Sequence, residues 1–337
     1  MPECNGLWYS FFMKHLCKFT AAFLTAVLLF DTVAGADTAH GTDWSAAARA
    51  EAESRVEALL ADDMSDMEKL LVLHDSLDLS CVYNPLDTAT CNTADGSLLK
   101  GRAVCRGYAD GYALLADTAG LDGFYVYSEA LEHAWTVVTL DGHRYFTDAT
   151  WDDTRPPCIG YVKHTWFLFS DATAELYGHT GRDLTDISVE GGAFENPPFL
   201  QAVTRVVIAG EYLYYINEAF ELIACRRDTW ETQVLLRVKT RWSLSAEAGT
   251  YRDGTYTGLV WLDGRLWFNT PTHVLSFEPA EKTVRVEYTH TGADGELYGL
   301  DVRNGTLTVC AAADPSADVY TLIDTGIDAS AAWGYCL

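Results

Sequence analysis

The sequence predicts an α+β protein, with helices first and strands after them rather than a regular alternation of the two. Three observations predict it. Apolar residues recur at helical spacing between residues 44 and 119, two-residue alternation begins at Phe124, and beyond residue 200 the chain reads almost entirely as strand and turn. With 337 residues, 49% of them apolar, the chain is long enough for two packed domains. A Gly/Asn/Pro cluster, Gly191–Pro198, separates an expected first domain at 45–187 from a second at 200–337.

The N-terminus reads as a targeting segment. Lys14 and Lys18 precede an apolar run from Phe19 to Phe30, and Ala34-Gly35-Ala36 closes it with small residues. Those are the three parts of a secretory signal peptide, expected at 1–36 with cleavage after Ala36 and a secreted product. The run is short for a membrane span, and no anchor is expected to remain after cleavage. The net charge of −25 argues against a nucleic-acid partner, which would require a basic patch. Of nine cysteines, Cys81, Cys91, Cys105, Cys158, Cys225, Cys310 and Cys336 follow Ala36. In an oxidising compartment some are expected in disulfides; Cys81 and Cys91 flank a turn-rich stretch and form the simplest pair, although sequence leaves the connectivity open.

Residues 44–60 are rich in the strong helix formers Ala, Glu, Arg and Leu. Ser65-Asp66-Met67-Glu68 has the form of a capping box, and Leu70, Leu73, His74 and Leu77 follow at helical spacing until Asn84-Pro85. In "GRAVCRGYADGYALLADTAG", Tyr108, Tyr112, Leu115 and Ala119 lie on one helix face and Gly120 is a natural stop. Cys105 therefore stands at a helix N-terminus. "FYVY" and "AWTVVTL" read as strands, and Asp141-Gly142 is a preferred hairpin turn into "HRYFTDATW". In the second domain, three strand–turn–strand units begin near Gly210, Gly264 and Gly305, consistent with a partial propeller or a sandwich. Their aromatic residues read as sheet core.

On composition alone Cys105 has three possible roles: nucleophile, half of a disulfide, or small buried side chain. The hairpin favours the first. Extending its register places His133 opposite Thr150 and Trp135 opposite Asp148, so His133 and Asp148 share a face as diagonal neighbours. A helix N-terminus favours thiolate, and an acid beside a histidine fixes its tautomer. Cysteine, base and orienting acid form an activated nucleophile. The spacing does not itself bring the helix to the hairpin.

"AVCRGYADGYALLADTAGL" followed by "EHAWTVVTLDGHRYFTDATWDDT" resembles the transglutaminase-like superfamily, in which a cysteine before Gly-Tyr-Ala, a His-Ala-Trp and an Asp-x-Thr-Trp-Asp-Asp occur in that order. The resemblance spans roughly 45–185. It implies a papain-like core of helices packed on an antiparallel sheet, with Cys105 as nucleophile, His133 as general base and acid, and Asp148 orienting the histidine. Thr136 stands where many members have Asn. The activity implied is acyl transfer at amide bonds of a peptide or protein, at the cell surface or beyond, through a Cys105 thioester, as protease, amidase or crosslinking transglutaminase. The Cys105 backbone N–H is an oxyanion donor on this reading, and Tyr83 is a second candidate. The other reading is a catalytically silent binding or adhesion module on the same scaffold. Neither requires a cofactor or a metal. Asp152 and Asp153 read as a solvated turn, His74 as a core-edge residue, His143 as exposed, and His164 and His179 as isolated. Sequence does not indicate substrate-binding residues or oligomeric state.

Overall fold

In the computed structural model, which describes residues 43–86, 89–153, 159–242, 255–313 and 319–332, the chain folds as helices against one antiparallel sheet, followed by three more antiparallel sheets. The expected signal segment, Cys158 and Cys336 lie outside the described residues. No described helix is long and apolar enough to cross a membrane.

Helix α1 (Ala46–Leu59) starts where the Ser45 hydroxyl accepts the Ala48 N–H, and it buries the stripe Ala48, Ala52, Arg55 and Leu59. Helix α2 (Asp66–Ser80) opens on the expected capping box, with Ser65 Oγ accepting from Glu68 N and Glu68 accepting from Ser65 N. It is buried on nearly every side from Met67 to Asp78, since helices cover one flank and the later sheets the other. A two-residue parallel pairing of β1 (Val82–Tyr83) with β2 (Arg102–Ala103) leads into α3 (Cys105–Thr118).

Helix α3 is almost wholly buried and packs on the sheet formed by β3 (Gly123–Ser128), β4 (His133–Leu140) and β5 (His143–Thr147). Its small residues permit close approach. A Cβ at Gly107 would run into the Cys91 carbonyl oxygen, and one at Gly111 into Ser97 Oγ. The β4–β5 hairpin turns at Asp141-Gly142, both at positive φ, in the expected register with Leu140 opposite His143 and Thr136 opposite Thr147. The ladder ends there, so the extrapolated pairs His133–Thr150 and Trp135–Asp148 do not form. Asp148 instead caps a single helical turn, α4 (Ala149–Asp152), and α5 (Asp171–Tyr177) follows.

Three meanders complete the chain. The first is β6 (Val207–Ala209), β7 (Tyr212–Ile216), β8 (Glu221–Arg226) and β9 (Thr232–Arg237). The second is β10 (Leu259–Leu262), β11 (Arg265–Asn269), β12 (His273–Glu278) and β13 (Thr283–Thr289). The third is β14 (Glu296–Arg303), β15 (Thr306–Ala312) and β16 (Thr321–Asp328). Gly210, Gly264 and Gly305, all at positive φ, make the first turn of each, so the three units seen in the sequence are one sheet apiece. First strands of successive meanders touch, β6 with β10 and β10 with β14, and no sheet closes into a barrel among the described residues. Aromatic side chains fill the spaces between sheets: Tyr214, Phe220, Phe268 and Tyr298 share one cluster. Thr204 and Thr257 repeat one device, each hydroxyl accepting a backbone N–H from the end of the second strand of its sheet (Ile216 at 3.2 Å, Asn269 at 3.0 Å).

The helical part and the first meander share one hydrophobic cluster, in which Leu70, Tyr112 and Phe167 lie with Ile208, Leu213 and Cys225. Arg227, just after β8, grips Glu68 of α2 through two bonds, at 2.6 and 2.9 Å.

Candidate active site

Cys105 is the first residue of α3 and contributes to a small cluster with Ala109 and Ala134. Its backbone N–H belongs to the first helical turn, where N–H groups have no intrahelical acceptor. The thiol is free and lies 3.9 Å from the Glu132 carbonyl oxygen. Glu132 sits at φ 50°, an uncommon conformation for a non-glycine residue, immediately before His133.

His133, the first residue of β4, donates from Nε2 to Asp148 Oδ2 at 2.6 Å. Asp148 engages Nε2 and leaves Nδ1 for the thiol side, where Cys105 lies close enough to favour the charged imidazole. The helix N-terminus does meet the hairpin, because α3 lies across β3 and β4, with Thr136 Oγ1 donating to the Ala109 carbonyl at 3.1 Å. Asp148 is held in turn: its Oδ1 accepts the Trp151 N–H at 3.1 Å, the cap of α4. Burial disfavours a charged imidazole at His133, but the Asp148 charge and hydrogen bond outweigh it, with Cys105 adding to them, and its pKa is raised to about 10. Burial likewise opposes the Asp148 carboxylate, and His133 together with a second histidine overcomes it and holds the acid below the ordinary carboxylate range.

That second histidine is His179. Its Nε2 donates to the same Asp148 Oδ2 at 2.8 Å. Burial pushes its pKa down despite Asp148, and the charge on His133 pushes the same way. One carboxylate oxygen thus serves two imidazoles driven in opposite directions, His133 toward the cation and His179 toward the neutral donor. Aromatic rings enclose the group. His133 stacks on Trp151 at 5.0 Å and on Trp135 at 5.8 Å, and His179 packs against Trp151 at 4.0 Å and Trp166 at 4.4 Å. Stacked indoles favour a cationic imidazole and keep water off the Asp148 bonds. His179 follows Gly178, the left-handed end of α5, and its N–H is bonded back to Ala174. No sequence signal connects it to Asp148.

Tyr83 lies on β1 with its backbone N–H on Asp153 Oδ2 at 3.2 Å, and it packs against the main core. The rim beside Cys105 carries exposed Arg106, whose guanidinium donates to Tyr125 Oη at 2.9 Å, together with Tyr127, Glu129 and Glu132.

Several sequence expectations require correction. Cys81 is a free, buried thiol whose pKa burial raises to about 12, so the Cys81–Cys91 disulfide is not formed. Two walls of the core, α2 and the 91–99 segment, are held together by packing instead. Asp152 is fully buried rather than solvated, accepting the Trp166 N–H at 3.0 Å. His164 is not isolated, since its Nε2 donates to Asp75 Oδ1 at 2.7 Å. His143 is exposed, as expected.

Two groups of described residues have donor sets that could hold a metal: His133, Asp148 and His179, and His74, Asp75 and His164. In the first, spacings of 2.6 and 2.8 Å are those of hydrogen bonds; ligands around one zinc ion stand about 3.3 Å apart.

No family model matches the sequence, and no curated protein matches it. Among solved structures, a protein assigned as a cysteine protease from Cytophaga hutchinsonii is 17% identical over 31% of this chain and 37% of its own, with a TM-score of 0.27. A structure described as a TGase is 17% identical over 43% of this chain and 39% of its own, at 0.28. PorZ, a surface component of the type-IX secretion system of Porphyromonas gingivalis, is 12% identical over 68% of this chain and 23% of its own, at 0.24. The chain therefore spans well under half the length of each. At these scores the likenesses are local. What the coordinates define is an α+β protein with a cysteine–histidine–aspartate cluster at a helix–sheet junction.

Proposed function

We propose that the protein is an exported cysteine-dependent acyltransferase or hydrolase of the transglutaminase-like kind, acting on amide bonds of peptides or proteins. One observation carries the reading: Cys105 at a helix N-terminus faces an imidazole whose far nitrogen is locked to buried Asp148 at 2.6 Å. The roles follow from that order. The sulfur attacks the amide carbonyl, and a C–S bond forms. The C–N bond then breaks as His133 gives its proton to the leaving amine, leaving a thioester. His133 next takes a proton from water or from an amine, which attacks the thioester and expels the sulfur. The N–H groups at the start of α3 stand where an oxyanion would be stabilised. The rim of Arg106, Tyr125, Tyr127, Glu129 and Glu132 is the surface along which a peptide would lie.

Incubation of the mature chain with a peptide library and a primary amine, read by mass, tests the proposal. Cleaved or amine-adducted peptides are expected, and none with Cys105→Ala. No product from the wild-type chain, with Cys105 labelled by a thiol probe no faster than an ordinary thiol and at an unchanged rate in His133→Ala, would favour the silent binding module.

A further inference from the structure

Helix α3 and its sheet meet at a fixed level. Thr136 Oγ1 donates to the Ala109 carbonyl at 3.1 Å. From Ala109 back to Cys105 the helix covers about 6 Å, at about 1.5 Å per residue. From Thr136 back to Ala134 the strand covers about 7 Å, at about 3.4 Å per residue. The two steps end side by side, and Cys105, Ala109 and Ala134 do form one cluster. Strand β3 carries that level outward, since Tyr127 pairs with Ala134 and Tyr125 with Thr136. Both tyrosines point to the α3 face and pack against the cluster. Tyr127 is therefore level with Cys105, and Tyr125 lies one helical turn further along.

The two phenols are engaged differently. Arg106 donates to Tyr125 Oη at 2.9 Å and lies over the same ring. Tyr127 Oη makes no hydrogen bond with a described residue, although its ring is half-buried beside the thiol. Its backbone, by contrast, is held on both edges. The Tyr127 N–H donates to Asp183 Oδ1 at 2.9 Å, and the Tyr127 carbonyl accepts the Asp183 N–H at 2.7 Å. Because both groups turn to Asp183, the pair with Ala134 is of the non-hydrogen-bonded kind, in which facing Cα atoms stand only about 4.5 Å apart. A donor fixed in place beforehand, with no partner to release, is what a developing oxyanion requires. The phenol also keeps its proton. Burial, then the charges of Cys105, Glu132 and Glu129, raise its pKa above the ordinary 10 despite Arg106. Tyr83, the candidate from the sequence, packs against the main core and not against the Cys105 cluster.

We infer that the Tyr127 hydroxyl is a catalytic residue, the second oxyanion donor beside the Cys105 N–H; the assignment rests on the acyl-transfer reading. As the Cys105 sulfur bonds to the amide carbon, the carbonyl π pair moves onto oxygen. Tyr127 O–H and Cys105 N–H donate hydrogen bonds to that oxygen, and neither gives up its proton. The pair returns to carbon as the C–N bond breaks and nitrogen leaves with the proton from His133.

Two thiol reagents applied to the purified mature chain test it without a known substrate. p-Nitrophenyl acetate acylates Cys105 through a tetrahedral oxyanion, read by nitrophenolate release. Iodoacetamide alkylates it by displacing iodide, with no oxyanion, read by mass. Tyr127→Phe removes only a hydroxyl that has no partner in the fold, and circular dichroism and urea unfolding check that it folds as wild type does. It should slow acylation about 100-fold, the cost of one oxyanion donor, with alkylation within about 2-fold of wild type. Tyr83→Phe should leave both rates unchanged. Unchanged acylation in Tyr127→Phe would overturn the assignment while leaving the acyl-transfer reading intact. An equal fall in both rates would also overturn it, making Tyr127 a residue that tunes the thiol. A loss confined to Tyr83→Phe would return the role to Tyr83. Wild-type Cys105 acylated no faster than free cysteine would instead sink the acyl-transfer reading, and this assignment with it.

Discussion

Asp148 Oδ2 receives two N–H donors, and the two histidines that supply them do different work. His133 carries charge beside the thiol, while His179, driven neutral by burial, remains a donor that fixes the carboxylate from its far side. Gln at position 179 can still place an N–H near the Nε2 position, whereas Leu cannot. His179→Leu should therefore slow Cys105 chemistry by about 10–100-fold, the kinetic equivalent of losing one hydrogen bond to a charged group, and His179→Gln should recover most of it. Thiol-labelling rates measured across pH on all three proteins check this. Equal rates for Leu and Gln would make His179 a packing residue only.

At the level of elements, α3 works because it is thin. Gly107 and Gly111 let the 91–99 segment press against the helix on one side while β3 and β4 cover the other, and that sandwich presents Cys105 to His133. Gly107→Ala puts a methyl into backbone that cannot rotate away. It should cost about 1–3 kcal/mol in urea unfolding, the usual penalty of overpacking, and should slow Cys105 labelling as the helix start shifts. The capping box at Ser65, the Asp141-Gly142 turn and the Gly-centred turns of the meanders were all legible beforehand, since each is a short-range device. The extended hairpin register was legible only as far as Thr147, because the Asp148 side chain caps α4 and turns the chain out of the ladder.

Across the whole molecule, the helical part is clamped to the first meander through Arg227, whose guanidinium bonds Glu68 twice and Asp63 twice, at its carboxylate and at its backbone carbonyl. Arg227→Met leaves buried Glu68 with only its Ser65 partners and should cost about 1–3 kcal/mol in denaturant unfolding. Stability should also depend on pH through His133. Its folded pKa, about 10, lies above its ordinary 6.5, so the imidazole binds its proton more tightly when folded. The stabilisation is then complete below pH 6.5 and fades as pH rises toward 10. Asp148, shifted the other way, contributes its full share above the ordinary carboxylate range and loses it progressively as pH falls below that range toward its lowered folded value. The stability gap between wild type and His133→Gln should accordingly be widest near pH 6 and narrow by pH 10. A gap constant over that range would remove His133 from the account.

By itself the sequence determined the local grammar of this protein: the α+β order, the capped α2, Cys105 at the head of α3 and the hairpin turn. Those follow from interactions between residues a few positions apart, which leave a periodic or compositional trace. Only the tertiary structure decided that His179 reaches back 31 positions to Asp148, that Asp78 and Asp152 are buried around His74, and that the Cys81 thiol stays unbridged. Each of these depends on which surfaces pack together over long separations, and a lone histidine or aspartate looks the same in a sequence whether water or a buried partner will meet it.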